Sequence, residues 1–317
     1  MINPIKSKPA AWRRWLRRTC WVIGGLAVAL GLLIGAGWLY FHPSATVESG
    51  VVYGTRGEQP LRMDVIRPQH PNGAGVLLLV SGRWRSKPDF DPWIAAPLLR
   101  RGYVVFTVRH VSQPKATIME IVDDVERAVR FVRHNADRYD VDPSRLGVTG
   151  GSSGGHLSLM LAVRNTPGDP QAEDPVDRES AAVQAVAVFF PVTDLIDMGN
   201  STQNLHDGGP PKSFVRGFGL DSRAVEPWLP IGTAMSPLRQ LGEALPPTLL
   251  VHGTADTLVP FDQSTRFRAE AERRGLPVEL IAREGKGHGW LGMIADLWVF
   301  ADWFDRWLVS HAGSGAR

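Results

Sequence analysis

The chain has 317 residues, 44% of them apolar, 21% charged and 9% aromatic, a balance that supports a sizeable core and excludes a disordered, collagen-like or small disulfide-stapled protein. Its formal charge of +3 suggests polyanion binding only until it is divided along the chain. Residues 1–18 hold Lys6, Lys8, Arg13, Arg14, Arg17 and Arg18 and no acid, leaving 29 basic against 32 acidic residues beyond them, so nucleic-acid binding is not implied.

The basic tail 1–18 is followed by an uncharged run from Thr19 to Phe41, long enough as a helix to cross the ~30 Å hydrocarbon layer of a bilayer. Trp21 near one end and Trp38 and Tyr40 near the other suit the two interfaces, and the arginines before the run place the tail in the cytoplasm. The expected localisation is membrane-anchored with the rest of the chain outside. The competing expectation is a cleaved secretory signal and a secreted protein, but such signals have apolar cores of only about 7–15 residues. Gly35-Ala36-Gly37 is a poor cleavage site. Cys20 is the only cysteine, so the exported part has neither a disulfide nor a thiol nucleophile.

Residues 42–50 read as a polar linker, and 51–311 as one catalytic domain. Strands are predicted at Val47–Tyr53, Leu61–Arg67, Gly75–Val80, Tyr103–Val108, Arg145–Thr149, Val183–Phe190, Thr248–His252 and Val278–Ala282. Several are continuous apolar runs, as strands covered on both faces should be. Ile118, Ile121, Val122, Val125, Val129 and Val132 recur at helical spacing. Further helices are expected over 91–101, 153–165, 262–275 and 292–309. The alternation predicts an α/β fold with a doubly wound, mostly parallel eight-stranded sheet and helices on both faces. Two insertions interrupt it, Pro167–Ser180 and a Gly- and Pro-rich stretch over 198–237 that is long enough to act as a lid.

After the strand Arg145–Thr149 comes Gly150-Gly151-Ser152-Ser153-Gly154-Gly155-His156-Leu157. A turn of this kind between strand and helix exposes a strained serine at the carboxyl edge of a sheet. The pattern fits in two frames: Gly150 and Gly154 bracket Ser152, while Gly151 and Gly155 bracket Ser153. Local sterics do not separate them.

This run resembles the nucleophile elbow of serine esterases of the α/β-hydrolase superfamily, in the branch of feruloyl esterases, hormone-sensitive-lipase-like carboxylesterases and prolyl oligopeptidases. The resemblance covers roughly residues 46–309 and is densest over 117–163 and 236–292. Those enzymes usually read G-x-S-A-G-G-H-L, which implies Ser152 as nucleophile, with Ser153 in place of the alanine and its N–H as an oxyanion donor. A serine needs a base and an acid to orient that base. Both follow in the superfamily's chain order: Asp256 in Leu249-Leu-Val-His-Gly-Thr-Ala-Asp256, and His288 in Glu284-Gly-Lys-Gly-His288-Gly-Trp290.

The second oxyanion donor is expected in Val80-Ser81-Gly82-Arg83-Trp84, where relatives often carry H-G-G-G-W. Only Gly82 and Trp84 match. Backbone donors need no particular side chain, so Gly82 and Arg83 remain the candidate amides. Arg83 and Arg85 read either as surface charges or as partners of an acidic substrate group. Trp84 and Trp290 flank the site, as pocket walls or as ordinary packing. His156 and His252 read as structural, Arg109 and His110 as structural or pocket residues, and Thr193 or Asp194 as a cap or loop fastener. No metal-ligand spacing and no dinucleotide fingerprint is present, so no cofactor is implied. The expected function is hydrolysis of a small-molecule carboxylic ester through an acyl-enzyme. A peptidase of prolyl-oligopeptidase type and a catalytically silent binding protein are the alternatives. The expected partners are the ester and, through the N-terminal helix, a membrane; oligomeric state stays open.

Overall fold

The computed structural model describes residues 11–86 and 92–310, so positions 1–10 of the predicted basic tail, residue 91 of the predicted 91–101 helix and residue 311 lie outside the described residues. The chain divides into two units, Met1–Pro43 and Ser44–Arg317. In the first, α1 spans Ala11–Phe41. It begins two turns before the apolar run because nothing in Ala11–Arg18 breaks a helix. Its stretch Trp15–Phe41 is the one helix among the described residues that is long and apolar enough to cross a membrane, at about 40 Å for 1.5 Å per residue. The large apolar side chains along it, from Trp15 and Trp21 to Trp38 and Leu39, are all exposed.

In the second unit, eight strands form one sheet in the order β1-β2-β4-β3-β5-β6-β7-β8. β1 (Ala45–Arg56) and β2 (Gln59–Pro68) form an antiparallel hairpin over a two-residue turn, and β2 also runs antiparallel to β4 (Val104–Val108). β3 (Gly75–Leu79), β5 (Leu146–Gly151), β6 (Ala185–Phe189), β7 (Thr248–Gly253) and β8 (Val278–Arg283) continue from β4 in parallel. The predicted strands all form, with shifted ends. The largest shift is at β1, which starts inside the expected linker 42–50 because Ala45–Glu48 pair with Pro68–Val65.

β4 and β6 are buried at every position, which forces helices onto both faces. α3 (Ile118–His134), α4 (Ser153–Arg164) and α6 (Asp262–Arg273) supply one core, and α2 (Ala96–Arg100) and the helix Met293–Phe304 supply the other. α3 opens on a capping box between Thr117 and Glu120, which satisfies two of its free N–H groups. The helix predicted over 91–101 is shorter than expected, a 3₁₀ turn at Pro92–Ala95 leading into α2, since Pro92 and Pro97 withhold backbone donors.

The 198–237 insertion is not an unstructured flap. It carries α5 (Val225–Ala234) and a 3₁₀ turn at Arg216–Phe218, and it buries Phe214, Phe218 and Trp228 in the core of the α3 and α4 face. The final helix, Met293–Phe304, is α7; it continues as a π-helical turn over Asp305–Val309.

Candidate active site

Four loops leave the carboxyl ends of the parallel strands and meet. In a doubly wound sheet this edge is where ligands bind. The first is the elbow between β5 and α4. Ser152 has φ 56° and ψ −119°, a region that side chains avoid and that is tolerated where surrounding structure over-determines it. Its N–H donates to Phe189 O at 3.0 Å, and its own carbonyl accepts from His156 N at 2.9 Å. A Cβ on Gly150 would lie 2.6 Å from the Gly154 backbone, and one on Gly154 would lie 2.6 Å from Leu79 O. A Cβ on Gly151 would meet nothing closer than 3.6 Å. The tightest glycine pair therefore brackets Ser152, a distinction that sequence spacing alone does not make.

Ser152 and Ser153 face different surroundings. Ser153 is buried, and its Oγ accepts from Trp84 N at 2.9 Å and lies 3.2 Å from Ser81 Oγ. Ser152 Oγ lies 3.0 Å from His288 Nε2, and His288 Nδ1 lies 2.7 Å from Asp256 Oδ2. Asp256 accepts only, so Nδ1 carries the hydrogen and Nε2 is left to accept from the serine hydroxyl.

The acid is held by its own turn. Asp256 Oδ1 accepts from Leu258 N at 2.9 Å and Val259 N at 3.0 Å. Burial pushes the Asp256 carboxyl up, and hydrogen bonds from His252 and His288 more than reverse this, holding it well below the usual carboxylate range. His252 is fully buried, with Nε2 at 2.8 Å from Val259 O and Nδ1 at 2.7 Å from Ser264 Oγ. The acid turn and the histidine loop are stitched together by Ala255 N to Lys286 O at 2.8 Å and Gly285 N to Thr254 Oγ1 at 2.9 Å. Gly253 allows this approach, since a Cβ there would sit 2.2 Å from Lys286 O. Asp194 is occupied elsewhere, accepting from Arg239 at 2.7 Å and Arg266 at 3.0 Å.

The fourth loop, after β3, folds into a tight turn. Gly82 N donates to Arg85 O at 2.9 Å and Arg85 N donates back to Gly82 O at 3.1 Å. Arg83 and Trp84 between them have φ 58° and 53°, as in a type I′ turn, at a cost of roughly 1–2 kcal/mol for each residue that is not glycine. The Gly82 N–H, one of the amides expected to point inward, is thus committed to the turn itself. The N–H groups of Arg83 and Ser153 have no hydrogen-bond partner among the described residues.

A small cavity is lined by Ser152 together with Arg83, Trp84, Met198, Gln203 and Phe214. Trp84 is buried, with its ring edge-on to Phe214 at 4.9 Å and its Nε1 donating to His156 Nδ1 at 3.1 Å. The Arg83 guanidinium lies 5.5 Å from the Phe214 ring centre. Trp290 packs edge-on against Phe189 and Phe190, both at 6.0 Å, and donates to Asp296 Oδ2 at 2.9 Å. Three contributors to the site carry no recognisable sequence signal. Phe190, at φ 32°, lays its ring 4.4 Å from that of His288. Gln203 presents a buried Oε1 without a partner among the described residues, and Phe214 comes from the insertion.

The sequence model of BD-FAE matches residues 73–270, a span that contains the β3 loop, the elbow and the acid turn. The chain belongs to the BD-FAE family. Among curated relatives of this BD-FAE chain, Esterase LipQ of Mycobacterium tuberculosis is 31% identical over 238 residues, covering 73% of the chain and 54% of the relative. The isoprenylcysteine alpha-carbonyl methylesterase ICME of Arabidopsis thaliana is 25% identical over 258 residues, covering 78% and 58%. The chain spans about half the length of the curated relatives it matches. Among solved structures, a truncated carbohydrate esterase from gut microbiota superposes with a TM-score of 0.69 at 26% identity, covering 83% of this chain and 98% of that one. The native esterase Est2 of Thermogutta terrifontis gives 0.64 at 25%, covering 83% and 92%. The fold of this BD-FAE protein is that of the α/β-hydrolase superfamily.

Proposed function

We propose that this BD-FAE protein is a serine hydrolase that cleaves carboxylic esters, with Ser152 as nucleophile, His288 as general base and acid, and Asp256 as the group that orients the base. The observation that carries the reading is the pair of contacts on one imidazole, 3.0 Å to Ser152 Oγ and 2.7 Å to Asp256 Oδ2. The esterase names of the relatives support it. As Ser152 Oγ attacks the carbonyl carbon, its proton passes to His288 Nε2 and the carbonyl oxygen becomes an oxyanion. The Asp256 carboxylate steadies the imidazolium through Nδ1–H. The N–H groups of Ser153, at the start of α4, and of Arg83 receive the oxyanion, aided by the positive end of the helix dipole. His288 returns the proton to the leaving alcohol oxygen, and the same steps with water release the acid and free Ser152.

In the same reading, α1 anchors the enzyme and the arginines in its first turns, Arg13, Arg14, Arg17 and Arg18, stay on the cytoplasmic side, which puts the hydrolase domain outside the cytoplasm. Activity on short-chain nitrophenyl esters is the expected outcome, with kcat/KM reduced about 10⁴-fold or more in Ser152→Ala or His288→Ala. Activity confined to aminoacyl amides contradicts the ester assignment.

A further inference from the structure

The turn that presents the Arg83 N–H is built from two residues that resist its conformation, Arg83 at φ 58° and Trp84 at φ 53°. Its own two cross-turn hydrogen bonds close the loop but do not fix it against the elbow. That second task falls to side chains. Trp84 N–H donates to Ser153 Oγ at 2.9 Å; Ser153 Oγ and Ser81 Oγ are 3.2 Å apart; and Ser81 Oγ is 2.9 Å from His110 Nε2. His110 Nδ1 lies 3.0 Å from Val111 O, which can only accept. The protons therefore have one consistent order. His110 Nδ1 keeps its hydrogen for the carbonyl, Nε2 accepts from Ser81, Ser81 accepts from Ser153, and Ser153 accepts the Trp84 N–H. Burial holds the His110 imidazole neutral, pushing it down to about 4, so the acceptor at the end of the chain persists at neutral pH. The indole of Trp84 is gripped separately by His156, whose Nε2 donates to Met235 O at 2.8 Å.

We infer that Ser153, through Ser81 and His110, is a positioning residue that fixes the Arg83–Trp84 turn against the elbow and so aims the Arg83 N–H at the oxyanion. The inference rests on the ester-hydrolase reading above. Ser153 never meets the substrate through its hydroxyl, because that hydroxyl is buried and fully used within the chain of bonds. Its effect is confined to the state in which negative charge sits on the carbonyl oxygen. It therefore changes kcat and leaves ground-state binding alone.

The test compares wild type, Ser153→Ala, Ser81→Ala and the double variant on nitrophenyl acetate, together with inhibition by a trifluoromethyl ketone, whose hemiketal places an oxyanion in the same hole. Loss of one complete oxyanion donor costs about 10²–10³-fold in kcat, and a misaimed donor should cost about 10–100-fold. KM should stay within about twofold, and the inhibition constant of the ketone should rise by the same factor as kcat/KM falls. The double variant should be no worse than the poorer single variant, because both cut one chain. A folded Ser153→Ala protein with kcat and ketone inhibition within about twofold of wild type overturns the inference, as does strict additivity of the two substitutions. If Ser153→Ala does not fold, Ser81→Ala and His110→Gln break the same chain from its other end and carry the same expectations. Wild-type protein without ester turnover overturns the underlying function; turnover that is lost in Ser152→Ala but untouched in Ser153→Ala and Ser81→Ala overturns this inference alone.

Discussion

Two buried histidines, His110 and His156, frame the Gly82–Arg85 turn without touching the proposed nucleophile, and their burial has a consequence for stability. Desolvation pushes each imidazole down to about 4, whereas in an unfolded chain each titrates near 6.5. Between those values the unfolded state binds more protons, so stability present above about pH 6.5 falls as pH drops toward 4. Asp124 acts in the opposite sense. Desolvation raises its carboxyl to about 6, so the folded state takes up that proton first on acidification. Glu126, whose carboxyl burial also raises, acts in the same sense as Asp124, and the two histidines are expected to outweigh these carboxyls, leaving a net loss of stability between about pH 6.5 and 4.5. Urea unfolding at several pH values in this range should show the fall, and a flat or rising profile contradicts neutral burial of the two histidines. At this scale the candidate site was most legible where the proposed chemistry needs a particular side chain: Ser152, Asp256 and His288 stand out by type, order and flanking glycines. Ser81, Phe190 and Gln203 did not, because their contributions depend on loops that only the folded chain brings within reach.

The elbow shows how an element sets residue identity. Helix α4 crosses β5 so closely that Gly150 meets Gly154, and Gly154 meets Leu79 O, at distances no Cβ can occupy. Alanine at either position should cost about 1–3 kcal/mol or more through forced backbone shifts. Alanine at Gly151, with its nearest neighbour at 3.6 Å, should leave the melting temperature nearly unchanged. Thermal unfolding of the three variants checks this, and equal losses at all three contradict the proposed packing. Strands and crossover helices were readable because their apolar periods are strong, α3 most clearly. The 198–237 insertion was not, since its Gly and Pro content signals irregular chain while Phe214, Phe218 and Trp228 gain their burial only against the α3 and α4 face. The turn Gly82–Arg85 was equally opaque, because nothing in Arg83-Trp84 announces two consecutive residues at positive φ.

For the molecule as a whole, the uneven distribution of charge matters more than its sum. Six basic residues lie within positions 1–18, ahead of the uncharged run Thr19–Phe41 whose large apolar side chains through Tyr40 are exposed, and the chain beyond residue 18 carries more acids than bases. The stretch Trp15–Phe41 is long and apolar enough to cross a membrane, and the proposed anchor sets it in the ~30 Å hydrocarbon layer. The full chain is expected in the membrane fraction and resistant to carbonate extraction, and a chain beginning at Ser44 is expected to be soluble, with ester turnover within about twofold. Recovery of the uncleaved full chain in the soluble fraction contradicts the anchor.

The proposed hydrolysis turns on which hydroxyl attacks. The most direct measurement is peptide mass spectrometry of the protein after reaction with a fluorophosphonate, run beside its ester turnover. A single phosphonyl adduct is expected on Ser152, formed in step with loss of activity, retained in Ser153→Ala and absent in Ser152→Ala. An adduct on Ser153, or full inactivation with Ser152 unmodified, contradicts the assignment of Ser152.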